Sequence, residues 1–73
     1  MKQLTSTQNT MYWVCENGGY IKGYGLDTVR LMSANHTPIL NAPKSDLTVL
    51  VNWGAVRKDG LKYIFNNPPP KID

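Results

Sequence analysis

One histidine, one cysteine and five carboxylates are the residues in which acid–base, nucleophilic or metal chemistry would first be sought. They are scattered. His36 follows Asn35 in a predicted turn, where it reads as a solvated turn residue, and Cys15 falls on the apolar side of a predicted helix. Glu16, Asp27, Asp46, Asp59 and Asp73 sit at caps, turns and a terminus, with no spacing that pairs them. A nucleophilic cysteine needs an adjacent base to activate it, whereas a free cysteine in an apolar stripe packs as a small hydrophobe. A lone histidine without cysteine or carboxylate at ligand spacing makes no metal site. The expectation is a non-catalytic protein that uses no cofactor and no metal.

The cations are better ordered. Arg57, Lys58 and Lys62 bracket Asp59-Gly60, so their charges would converge at the tip of a hairpin and could grip a phosphate backbone. The competing reading is a solvated tip that keeps a sheet edge soluble. Lys44 and Lys2 would extend the patch. Aromatic residues are the rival lead: Trp13 lies opposite the apolar stripe of its helix, and Tyr20 and Tyr24 stand beside glycines. A ring so placed can stack on a base or dock on a protein, while partial burial under the middle hairpin is the alternative for Trp13.

These side chains must be positioned by one core. With 73 residues, 41% apolar and 18% charged, the chain is too apolar for disorder and too short for a second core, and its net charge of +3 is modest. One cysteine closes no internal disulfide. A lone core of this size supplies only about 3–5 kcal/mol, so a homodimer or another protein partner is an open alternative. No window reaches the roughly 18 apolar residues of a membrane span, and the start Met-Lys-Gln-Leu-Thr lacks the apolar region of a signal peptide. The expectation is a cytoplasmic protein without membrane contact. It would form one domain over 1–67, with an extended, mobile Pro-rich tail at 68–73 whose Pro68-Pro69-Pro70-Lys71 could alternatively serve as a polyproline II ligand.

Thr5-Ser6-Thr7-Gln8 has capping-box spacing and predicts a helix over about 5–16. Leu4, Met11, Val14 and Cys15 share its inner side with Tyr12 at the edge, and Asn17-Gly18-Gly19 ends it. Tyr20-Ile21-Lys22 reads as a short strand. From Thr28 to Ser33 the pattern alternates, with Val29, Leu31 and Ser33 on one face and Thr28, Arg30 and Met32 on the other. Asn35-His36 suggests a turn with asparagine at positive φ, returning through Thr37-Pro38-Ile39-Leu40 as a sheet edge. Asn41 to Lys44 reads as a connector, and Ser45-Asp46 as the N-cap of a helix that turns Leu47, Leu50, Val51 and Trp53 inward. Gly54 would close that helix. Asp59-Gly60, between Ala55–Lys58 and Leu61–Phe65, predicts a type I′ hairpin that turns Leu61, Tyr63 and Phe65 toward the core.

The order of elements resembles a winged helix-turn-helix domain. Leu4 through Ile21 is similar to the first helix and strand of that family, and Leu47-x-x-Leu50-x-x-Trp53-Gly54-Ala55-Val56 to its last helix and wing. Gly18-Gly19-x-Ile21 followed by a Val-x-Leu strand also resembles the small YjhX-type family of bacterial toxins. The winged-helix resemblance implies a small α+β domain of two helices, a middle β-hairpin and a C-terminal β-hairpin wing. The region 26–40 departs from the family by reading as a hairpin where a second helix belongs, which puts major-groove insertion in doubt. The implied function is nucleic-acid binding, with DNA as partner, through Arg57, Lys58 and Lys62 of the wing and Lys44, Thr48 and Asn52 at the front of the helix. Such small basic proteins are common in phages and mobile elements as transcription regulators. The alternative is a protein-interaction module that uses Trp13, Tyr20, Tyr24 or a sheet edge.

Overall fold

A computed structural model describes residues 4–66, so Lys2 and the expected Pro-rich tail at 68–73 lie outside the described residues. Helix α1 spans Ser6–Glu16, β1 Tyr20–Gly23, β2 Thr28–Met32 and β3 Pro38–Pro43. Helix α2 spans Lys44–Trp53, followed by β4, Val56–Asp59, and β5, Lys62–Phe65. The start of α1 is the predicted capping box: the Gln8 amide donates to the Thr5 hydroxyl at 3.2 Å, and the Thr5 amide donates to Gln8 Oε1 at 3.0 Å. Its end is a Schellman closure around Gly18 at φ +92°, with the Gly19 amide donating to the Val14 carbonyl at 2.9 Å.

The class is α+β, the described residues forming two helices and a single five-stranded antiparallel sheet in the order β3-β2-β1-β5-β4. The expected middle and C-terminal β-hairpins are both present, as β2–β3 and β4–β5. Strand β1 lies between the two hairpins and pairs with β2 on one side and β5 on the other, so both hairpins belong to the same sheet. Both helices cover one face, where Met11, Val14, Cys15, Leu47 and Leu50 meet Ile21, Val29, Leu31, Ala42 and Val56 in one core. Tyr12 stacks on Trp53 with centroids 5.3 Å apart and meets the edge of Phe65 at 5.4 Å, joining both helices to β5.

Several local expectations change. The positive φ near residue 35 belongs to His36, at +64°, while the Ser33 hydroxyl accepts from the Asn35 and Thr37 amides. Residues 41–43 are strand, since β3 stays paired with β2 as far as Pro43 opposite Thr28. The N-cap of α2 is Pro43, without a side-chain hydrogen bond. Asp46 has another use: it accepts from Gln8 Nε2 at 3.0 Å and ties the two helices together. Val51 is exposed rather than inward.

The final hairpin turns one residue later than expected. Asp59 pairs with Lys62, which leaves Gly60-Leu61 as the two-residue loop. Only its first residue has positive φ, +67° at Gly60, so the loop follows the pattern of a type II′ turn with glycine leading. Leu61 therefore stands at the tip, 94% exposed, whereas Tyr63 and Phe65 pack against the core as expected.

Cys15 is buried on α1, and burial pushes its thiol up to about 12. Because the folded value lies above the unfolded one, the protonated thiol stabilises the fold fully below about pH 9, and that contribution is lost as pH rises toward 12. Tyr12 is raised as well, by desolvation first and by Glu16 second, and acts in the same direction. Native protein is expected to react with a thiol reagent at neutral pH at least a hundredfold more slowly than urea-unfolded protein. Urea unfolding at pH 10.5 should show a lower midpoint than at pH 7, with Cys15→Ala narrowing the difference.

Candidate nucleic-acid interface

The six residues expected at one nucleic-acid surface lie on two. In β4, Arg57 is opposite Ile64 and Lys58 is opposite Tyr63, so their side chains leave opposite faces of the sheet. Lys58 shares the helix-covered side with Lys44, and both line a shallow cavity of about 200 Å³ with Leu61 and Tyr63 in its wall. Thr48 and Asn52 are exposed on α2, with the Thr48 hydroxyl turned back to the Lys44 carbonyl at 3.2 Å. Arg57 and Lys62 belong to the other face, against which no helix packs among the described residues. The convergence of Arg57, Lys58 and Lys62 at one tip is therefore corrected: alternation along β4 separates Arg57 from Lys58.

Strand register defines that uncovered face. Directly opposed residues of antiparallel strands project to the same side, and the pairs Arg30↔Asn41, Lys22↔Arg30, Lys22↔Lys62 and Asp59↔Lys62 make one continuous row across all five strands. The order across the sheet is Asn41, Arg30, Lys22, Lys62, Asp59. Three cations stand side by side in the middle, with one amide and one carboxylate at the ends. Like charges directly opposed across strands destabilise a sheet by roughly 0.2–1 kcal/mol per pair. An anion lying over the row would relieve that repulsion.

Aromatic rings flank the cations. The Arg30 guanidinium carbon lies 3.7 Å from the Tyr24 ring centroid while its Nε donates to Asn41 Oδ1 at 2.9 Å. This fixes the guanidinium plane. Lys62 Nζ lies 4.9 Å from the Tyr20 ring centroid, and the Tyr20 hydroxyl shares a 2.8 Å hydrogen bond with His36 Nδ1. His36 is thus part of this face rather than a bare turn residue. Met32, opposite Tyr20 in β2, is buried yet stands outside the main core, giving the platform a small apolar floor.

Trp13, which is 61% exposed, belongs to α1 and so to the opposite layer from Tyr20 and Tyr24. The three aromatics do not form one surface. Lys22 and Arg30 are the residues that sequence reasoning missed as binding candidates. The available signal was period-2 alternation, which does place Arg30 and Lys22 opposite Val29, Leu31 and Ile21, but the register joining them to Lys62 has no local signature. Among the described residues no cluster of His, Cys, Asp or Glu is placed to hold a metal, and no helix is long and apolar enough to cross a membrane. Comparison with protein-family models, with curated proteins and with solved structures finds no match.

Proposed function

We propose that this chain is a non-catalytic nucleic-acid-binding domain whose contact surface is the uncovered face of the sheet. The observation that carries the reading is the cation row Arg30, Lys22, Lys62, unbroken across three adjacent strands and reinforced by Arg57 on the same face. Phosphate oxygens would satisfy these donors, and the rings of Tyr20 and Tyr24 would add stacking area. Titration of labelled nucleic acid at several salt concentrations tests this. With about three or four phosphate contacts, log K should fall against log salt with a slope of roughly −2 to −4. A slope near zero would point to contacts that are not phosphate-based and would remove the reading.

A second reading keeps the winged-helix-like arrangement and DNA as partner, with α2 and the β4–β5 hairpin gripping a duplex. It is favoured by the cavity that Lys44 and Lys58 share and by the exposure of Thr48 and Asn52 beside it. Paired variants separate the two. Lys44→Glu with Lys58→Glu should leave binding within about twofold if the sheet face is the contact surface, and should remove it if the helix side is.

A further inference from the structure

The uncovered face has features that a duplex would not use. Five strands at about 4.8 Å spacing make a platform about 19 Å wide, broader than the roughly 12 Å of a major groove. A sheet of that width rests on a duplex rather than entering its groove. On an intact duplex it could meet phosphates with Arg30, Lys22, Lys62 and Arg57, but Tyr24 and Tyr20 would face sugar and phosphate, because paired bases are already stacked on their neighbours. Tyr24 is half exposed in the β1–β2 loop with one ring face against the Arg30 guanidinium, so the pair offers a rigid, layered π surface beside the cation row.

The partner's chemistry can be narrowed further. A second copy of this chain docking face to face would set cation row against cation row, which rules against self-pairing through this surface. A simple polyanion would engage the cations and ignore the rings. An unpaired nucleic-acid strand uses both, since its phosphates follow a positive track while its free bases stack on aromatic and guanidinium planes.

On the strength of the nucleic-acid reading above, we propose that the uncovered sheet face takes an unpaired nucleic-acid strand, its phosphates on Arg30, Lys22 and Lys62 and its bases on the Tyr24–Arg30 stack and on Tyr20. The strand lies across the β-strands, following the row. Oligo(dT) or oligo(U) occupies the face by this chemistry without base-edge readout.

The test uses fluorescence anisotropy at about 50 mM salt with three probes: oligo(dT) of about 12 nucleotides, oligo(U) of the same length, and a blunt duplex matched in length, with heparin as a competitor lacking bases. The single strands should bind at least tenfold tighter than the duplex. Tyr24→Leu should weaken the single strands at least fivefold and Tyr24→Phe should restore them, while duplex and heparin affinities stay within about twofold. Tyr24 is in an exposed loop, so both variants keep the fold, and their amide spectra verify this. A duplex bound as tightly as the single strands, or a Tyr24→Leu variant with parental affinity for oligo(dT), overturns the unpaired-strand proposal and leaves the nucleic-acid reading standing. Binding of no probe even at about 20 mM salt overturns both.

Discussion

Lys22→Glu is expected to weaken nucleic-acid binding by about tenfold or more at moderate salt while making the domain slightly more stable. The two effects have opposite signs because Lys22 sits between Arg30 and Lys62 in cross-strand register. A glutamate there turns two repulsive neighbours into two attractive ones, contributing about 0.2–1 kcal/mol for each pair. For a nucleic acid the same change removes a phosphate contact at the centre of the row and adds a charge that repels the backbone. For a domain of this size, the gain should raise Tm by a few degrees, since about 1 kcal/mol corresponds to roughly 4–8 °C. Thermal unfolding and anisotropy on the same preparation check both. A variant as stable as or more stable than the parent that still binds at parental affinity would remove this face as the contact surface. A loss of stability would show that Lys22 has a packing role that the register does not explain.

Gly19→Ala should cost about 3–5 kcal/mol, close to the whole stability of a domain with one small core. The reason is proximity, not φ. A Cβ at Gly19 would fall 2.8 Å from the Val14 carbonyl oxygen and 2.6 Å from Val14 Cγ1, and would press on the Met32 carbonyl oxygen. Neither oxygen can retreat cheaply. The Val14 carbonyl closes α1 by accepting from Gly19 itself, and Met32 is paired with Tyr20 in the ladder that starts β1. Gly23→Ala is the internal control: a Cβ there meets nothing within 4 Å, so its effect should stay within about 1 kcal/mol. Urea unfolding of both variants gives the comparison, and a Gly19→Ala midpoint close to that of the parent would contradict the close-approach argument.

Local chemistry made some of this fold legible and left the rest hidden. The Thr5/Gln8 capping box, the glycine closures at Gly18 and Gly54 and the alternation of Val29 and Leu31 all act within a few residues, and each appears where its spacing places it. The turn at Gly60-Leu61 shows the limit. Asp-Gly is a strong hairpin signal, but which residue leads the turn depends on the register of the flanking strands, and a shift of one residue moves Leu61 from the core to the tip. The N-cap of α2 was obscured by β3 running directly into the helix, which makes Pro43 the cap and frees Asp46 to bind Gln8. At the candidate site, Tyr20, Tyr24, Arg57 and Lys62 were visible from their aromatic or cationic type beside glycines and a turn. Lys22 and Arg30 were not, because a surface built across strands is set by pairing between residues far apart in sequence.

The central position of β1 has a kinetic consequence. One neighbour, β2, follows within a short loop, but the other, β5, lies about forty residues further on, so the closing contact of the sheet is among the most distant in the chain. A nascent chain that has emerged only as far as α2 holds β1 with one side unpaired and Phe65 not yet delivered to Tyr12. Until β5 arrives, that open backbone can accept a strand from another molecule. Folding of this protein on the ribosome should therefore complete late and abruptly. Nascent chains in which Lys62–Phe65 has not yet cleared the ribosome should aggregate or recruit chaperones, whereas chains in which Phe65 has emerged should become protease-resistant in one step.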